Sequence, residues 1–395
     1  MFIKEVSAKS ILDTRGEKTI SVSIKTNVGS FSASSPNGKS KGKFEAKSYK
    51  KTIEEDIKRI KEFSDYFSND DIKGLDDLRL VEDIADGHIG ANTLFALESA
   101  VLKAVAKEQR KKVWQVINTK AKNFPRLVGN CIGGGKHSKA EKKPDFQEFL
   151  LIPKSASVSE SFDTNMGAKV NAQFILKNID KKFNGSKNDE NAWMTGLDDK
   201  TTLEVLKDLK DNVMDERKLS LNLGIDAAAS SFYSRKKYKY LNPKLERTKE
   251  EQMGYLNNLI KNFNLFYIED GFEENDFESF SKLLRKFPNS LIVGDDLTVT
   301  NSKRLEKAIE NKSINGIIVK PNQCGSLLEV KRVCELAKKN NIKIIFSHRS
   351  GETEEDILAD LAFGFQADFF KCGIDGKERE VKLKRLMEIE EGLKK

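Results

Sequence analysis

Six short apolar stretches, each closing on one charged residue, constrain this chain more than anything else in it. They are L-S-L-N-L-G-I before Asp226, L-F-Y-I before Glu269, S-L-I-V-G before Asp295, N-G-I-I-V before Lys320, K-I-I-F-S before His348 and D-F-F before Lys371. Successive charges lie 43, 26, 25, 28 and 23 residues apart. That interval accommodates a strand, a return helix and two turns, so the strands are expected to run parallel. Parallel strands present their working residues at their carboxyl ends, and a closed (β/α)₈ barrel gathers those ends on one face. Three acids, two lysines and a histidine then meet around one pocket, which points to an enzyme.

The rest of the chain is consistent with that frame. Its 395 residues suffice for one barrel and an added module. Hydrophobic content is 38% and charged content 33%, but the apolar residues are periodic, which argues against disorder. No run of 18 apolar residues exists, and M-F-I-K-E-V-S-A-K lacks the apolar core of a secretory signal. Cys131, Cys324, Cys334 and Cys372 form no C-x-x-C pair, so reduced thiols and a cytoplasmic location are expected. The net charge of +8 comes from 69 bases interleaved with 61 acids, as in K-K-T-I-E-E-D-I-K-R-I-K-E-F. That is the pattern of solvated helix faces, and no nucleic-acid partner is expected.

Residues 1–124 read as a separate α+β module. I-S-V-S-I-K-T and S-F-S-A-S-S alternate like an antiparallel meander, and helical patterns follow at 53–67, 92–107 and 113–117. Residues 125–395 are close to the usual size of a barrel. Thr300-Asn301-Ser302 offers a cap for one barrel helix, and Ser350 to Thr353 leads into E-E-D-I-L-A-D-L, read as a helix with an acidic first turn.

The strand-end acids Asp226, Glu269 and Asp295 either pair with separate surface bases or hold a cation together. An all-oxygen set without Cys or His favours a hard ion, and Mg²⁺ is the usual one. Lys320 is either a snorkelling surface residue or a base whose pKa is lowered by a divalent ion and Lys371. Ser347-His348-Arg349-Ser350-Gly351-Glu352-Thr353 serves either as loop and cap or as a seat for phosphate or carboxylate. His137 lies in a Gly/Ser-rich loop, whereas His88, in G-H-I-G-A-N, reads as structural.

These strings, with Leu12-Asp13-Thr14-Arg15-Gly16, Gly133 to His137, Gln147-Glu148-Phe149, D-D-L-T-V-T-N at 295–301, Lys320-Pro321-Asn322-Gln323 and S-H-R-S-G-E-T-E at 347–354, resemble the enolase family over essentially the whole chain. The resemblance implies an enolase-type barrel behind a smaller N-terminal domain, and Mg²⁺-dependent dehydration of 2-phospho-D-glycerate to phosphoenolpyruvate in glycolysis and gluconeogenesis. An alternative is a paralogue performing the same enolisation on another phospho- or phosphono-hydroxy acid. It further implies that Asp226, Glu269 and Asp295 hold one Mg²⁺ and that Lys320 takes the carbon-2 proton. Glu190 protonates the departing hydroxyl, with Glu148 and Gln147 in support. His137 and Lys371 line the substrate site, and Arg349 with Ser350, next to His348, grips phosphate. Ser40, in the loop that closes over substrate, holds a second Mg²⁺. A homodimer or higher oligomer formed through the module around Arg15 is implied as well.

The chain departs from the family in loops. N-G-K-S-K-G at 37–42 stands where S-G-A-S-T-G is usual, and Asn191-Ala192-Trp193 follows Glu190 where glycines are usual. The His137–Gln147 interval is two residues longer than usual, and the N-terminal module is shortened.

Overall fold

The alternation of the first 34 residues does fold as a meander. In this computed structural model, which describes residues 1–39, 42–67 and 71–394, β1 (Ile3–Leu12), β2 (Lys18–Thr26) and β3 (Gly29–Ser34) pair antiparallel in that order. Ile20, Val22 and Ile24 of β2 alternate inward and are wholly buried. Their cover is a helix over Ala91–Glu108, which packs on β2 and β3. His88 has its ring edge-on to Phe63 with centroids 6.2 Å apart, a packing role.

Beyond this module the chain closes an eight-stranded barrel: β4 (Arg126–Gly133), β5 (Glu148–Pro153), β6 (Leu221–Asp226), β7 (Tyr267–Glu269), β8 (Leu291–Gly294), β9 (Gly316–Val319), β10 (Lys343–Ser347) and β11 (Phe369–Gly373). Each strand pairs with the next, and β11 closes the ring on β4. The six strands read from spacing all run parallel to one another. β5 does not: it lies antiparallel to both β4 and β6. The reversal goes with the link, residues 134–147, which holds only the short turn Gly135–His137 and no crossover helix of the kind that returns a parallel strand. It brings the first residue of β5 to the mouth, with Glu148 opposite Asp226 in register.

The barrel interior is a packed plug of Val128, Leu150, Ile152, Tyr267, Leu291, Val293, Ile318, Ile345 and Phe369. Pairs two apart on one strand (150 and 152, 291 and 293) share the inner face, as the pleat requires. At the base, the Arg126 guanidinium lies 5.6 Å from the Phe266 ring and 5.5 Å from that of Phe369. The interior is therefore closed from below, and chemistry is confined to the mouth.

Caps fix where the outer helices begin. Asn301 accepts from the Arg304 N–H at 3.1 Å and starts the helix Ser302–Glu310. The loop after β10 differs from expectation, because its helix starts only at Ile357. Glu354 and Glu355 thus precede it. Glu355 is turned to other partners and binds Lys103 of the N-terminal module at 2.7 Å. Gly325, at φ 83°, ends the short helix Pro321–Cys324. A Cβ there would stand 2.6 Å from Ala91 Cα, so only glycine lets the two modules approach this closely.

Candidate active site

Ladder registry delivers the charged residues to one rim. Asp226 and Glu269 are the last residues of β6 and β7 and face each other in register. Asp295, Lys320 and His348 each follow the last residue of β8, β9 and β10. Lys371 sits mid-strand instead, because β11 runs on to Gly373. Eleven of the thirteen residues singled out from sequence line one narrow polar cavity at this rim: Asp226, Asp295, Lys320, Lys371, His348, Arg349, Ser350, His137, Gln147, Glu148 and Glu190. Glu269 lies just behind Lys371, fully buried. Ser40 falls outside the described residues. Gly38, Asp270 and Asp296 also line the cavity and were not anticipated.

Lys371 is the hub of the acid cluster. Its Nζ stands 3.0 Å from Asp226, 2.8 Å from Glu269 and 3.2 Å from Glu148. Burial opposes its charge, but these three acids prevail and hold its pKa well above the usual lysine value. Lys320 pairs with Asp295 Oδ2, while Gln323 Nε2 donates to Asp295 Oδ1 at 3.1 Å. For Lys320 the expectation of a lowered pKa supposes a divalent ion at its side; among the protein's own groups the balance runs the other way. Its pKa is raised, because the direct Asp295 partner outweighs burial and the like charges of Arg349 and Lys371. Asp295 is correspondingly lowered: burial would raise it, but Lys320 dominates.

Three observations show that the cluster suits a hard cation. Burial, then the neighbouring charges of Asp226 and Asp295, push the Glu269 carboxyl up to about 8 despite Lys371. Its Oε1 is buried with no hydrogen-bond partner. Every donor offered is an oxygen. Among the described residues, the sets that bring three ligand atoms within 4.8 Å of one another are Asp270–Asp295–Asp296 and His137–Glu148–Glu190, not the trio expected from sequence. Asp226 and Glu269 join neither set; both are paired with Lys371. Asp270 acts structurally: its two carboxylate oxygens accept the backbone N–H of Asp295 at 3.1 Å and of Asp296 at 2.6 Å. It fixes the β8 loop that carries Asp295.

Opposite the cluster, His137 stands between two carboxyls. Its Nδ1 is 3.4 Å from Glu190 and 3.9 Å from Glu148. Burial lowers the pKa of His137, and takes that of His348 well below the usual imidazole value. The two acids diverge. Burial, with Glu190 and Asp226 nearby, drives Glu148 well above the usual carboxyl value in spite of Lys371. Glu190 is equally buried, yet His137, His348, Arg379 and the Asn130 amide at 2.9 Å hold it below that value. The two carboxyls titrate as one coupled pair, with Glu148 pushed up and Glu190 held down.

The anion seat is occupied by the protein's own groups. Arg349 Nη2 binds both Glu45 oxygens, at 3.1 and 3.0 Å, and its Nη1 donates to Asn322 at 3.2 Å. Ser350 Oγ accepts the Lys39 N–H at 2.8 Å. Gly38 rests directly on the guanidinium: a Cβ there would come within 1.7 Å of Nη2. Nothing local in the sequence predicts Glu45 or Arg379, whose Nη2 bonds the carbonyls of Asp189 at 3.0 Å and Ser350 at 2.8 Å. Glu45 acts across 304 residues and Arg379 across 190.

The acid-bearing loop is held from beneath by a set of side-chain contacts. Lys169, buried in the helix Val158–Ile179, pairs with Asp375 and bonds the Asn191 carbonyl. Asp375 also binds Lys187 at 2.9 Å, and Trp193 Nε1 donates to the Lys169 carbonyl at 2.8 Å. Lys187 lies 5.0 Å from the Trp193 ring centroid. Asn191 adopts φ 62°, the conformation for which glycine is the usual residue.

Comparison with known proteins gives the same reading. The family model for the enolase C-terminal TIM barrel domain matches residues 121–395, and that for the enolase N-terminal domain matches residues 3–117. A Methanosphaera stadtmanae protein named enolase is 36% identical over 99% of this chain and 97% of its own length. One from Picrophilus torridus is 35% identical over 99% of both chains. One from Pyrobaculum aerophilum is 41% identical over 68% of this chain and 64% of its own.

Proposed function

The chain belongs to the enolase family, and from that premise we propose how its barrel mouth performs the family's reaction. That reaction is dehydration of 2-phospho-D-glycerate to phosphoenolpyruvate in glycolysis, by a lyase that depends on Mg²⁺. Full-length relatives bear one name, enolase, and leave a different hydroxy acid without support.

The observation that carries the assignment of roles is the meeting of the β6, β7 and β8 acids with two buried lysines and the Glu148–Glu190 pair around one cavity. Asp226, Glu269 and Asp295 are the residues that hold Mg²⁺. When bound, the ion relieves the repulsion among these acids and stabilises the negative charge that builds on the substrate carboxylate. Lys320, freed of its proton, takes the hydrogen from carbon 2. The C–H electron pair moves toward the carboxylate, then forms the new double bond as the 3-hydroxyl departs. That hydroxyl leaves as water with a proton drawn from the Glu148–Glu190 pair, Gln147 orienting the carboxyl side and His137 separating the two acids. Arg349 and Ser350, beside His348, receive the phosphate, exchanging their contacts with Glu45 and Lys39 for it. Lys371 keeps the acid cluster from over-accumulating negative charge.

We assign two Mg²⁺ per site, the second through Ser40, and a homodimer in the cytoplasm joined through the surface around Arg15, where the guanidinium now binds Asp13 at 3.2 Å. We place the domain division at 124/125, supported by the start of β4 at Arg126. Purified protein given 2-phosphoglycerate and Mg²⁺ is expected to form phosphoenolpyruvate, to stop in EDTA and to lose activity as Lys320→Ala. No turnover where a known enolase works would refute the reading.

A further inference from the structure

The two lysines that mark this chain's 37–42 loop invite a question about purpose, and one of them has a defined partner. Lys39 follows Gly38, which lies on the Arg349 guanidinium. Its backbone position is set by two neighbours. Asn37 and Gly351 exchange backbone bonds of 2.7 and 2.9 Å, and the Lys39 N–H donates to Ser350 Oγ at 2.8 Å. From this fixed base the side chain crosses the mouth, and Nζ meets Asp189 Oδ2 at 2.5 Å. Asp189 immediately precedes Glu190 and is anchored behind by Arg379. The Asp189 side chain is only 12% exposed and that of Lys39 29%. The bond is thus partly withdrawn from solvent and joins parts of the chain 150 residues apart.

We infer that Lys39 is a positioning residue for the dehydration: its ion pair with Asp189 fastens the 37–39 segment to the acid loop, so that seating this segment sets the place of Glu190. The inference rests on Glu190 belonging to the proton-donating pair. A strut of this kind makes different predictions from a lysine that merely attracts an anionic substrate. An attractor acts alone, so Lys39→Met raises KM at constant kcat, while Asp189→Asn, which removes a repelling charge, lowers KM. A strut needs both ends. Either variant then lowers kcat, by about two- to fivefold for a pair this exposed, and the double variant is no worse than the single ones.

The test is a double-mutant cycle on kcat and KM with Lys39→Met, Asp189→Asn and both together, plus the charge exchange Lys39→Asp with Asp189→Lys. The inference requires equal, non-additive losses in kcat, recovery in the exchanged protein, and a wild-type kcat that falls toward the variants' as salt rises. Additive effects, KM changes of opposite sign or no recovery would overturn it. Glu190→Gln, measured alongside, separates the two levels. If it keeps full kcat, the assignment of the donating pair fails; if it is inactive while the cycle is additive, the strut alone fails. Unchanged thermal midpoints for the exposed Lys39→Met variant exclude unfolding as the cause.

Discussion

The two halves of the mouth are built by different means. Asp226, Glu269, Asp295, Lys320 and Lys371 stand on or directly after barrel strands, and the β-ladder alone sets their spacing. Glu190 and the 37–39 segment lie off the barrel strands; beyond the Asn37–Gly351 bridge and the short pairing of Trp193 with β4, side chains hold them: Lys39 to Asp189, Arg379 to the Asp189 carbonyl, Lys169 and Lys187 to Asp375, and Trp193 to Lys169. The strand-borne half tolerates no sliding, because one residue of register turns a side chain to the other face. The loop-borne half can change its residues so long as the struts are replaced.

Substitutions can break this contrast. Lys320→Ala removes the base from the rigid half and should lower kcat by roughly 10²- to 10⁴-fold with the fold intact, read by steady-state kinetics and circular dichroism. A smaller loss would mean that another group takes the carbon-2 proton. Trp193→Ala cuts a support from the other half. Trp193 is 7% exposed and packed by Phe183 and Lys187, so denaturant titration should show a loss of about 3–5 kcal/mol. Activity should fall with it, yet Mg²⁺ should still raise the thermal midpoint, since the ion's ligands lie on strands. Asp295→Asn should do the reverse: it folds normally but loses most of a stabilisation that is about 2.7 kcal/mol at a hundredfold excess of Mg²⁺ over Kd. An unchanged Mg²⁺ response would remove Asp295 from the ligand set.

The smallest effect lies outside both halves. Glu98 is buried at the seam between the modules, where it accepts the Leu327 N–H at 2.6 Å. Burial, with Glu82 nearby, drives its carboxyl well above 4.5. The folded chain therefore retains a proton that the unfolded chain releases. This stability is fully present below about pH 4.5 and drains away as pH rises toward the folded value. Glu98→Gln should flatten that part of the stability–pH curve and leave kcat unchanged, and a curve of unaltered slope would contradict the assignment.

What the sequence disclosed follows the same division. The spacing of six charged strand ends was enough for the barrel and its rim, because parallel strands with return helices leave a regular interval. It could not disclose Glu148, which begins a reversed strand and so breaks the rule that working residues end strands; the family resemblance supplied it. Glu45, Arg379 and Asp270 carry no local signal, since each acts on a partner brought close only by the closed fold. The direct contact of Lys320 with Asp295 was hidden for a related reason. Asp295 lies 25 residues earlier in the chain, and sequence alone does not reveal that the two side chains touch.

The separation of a strand-borne base from a loop-borne acid is tested most directly by exchange of the carbon-2 hydrogen of 2-phosphoglycerate in deuterated water, followed by NMR. With Glu190→Gln, elimination should be crippled while deuterium still enters carbon 2 at a rate that Lys320→Ala abolishes. Loss of exchange in Glu190→Gln, or its survival in Lys320→Ala, would contradict the account.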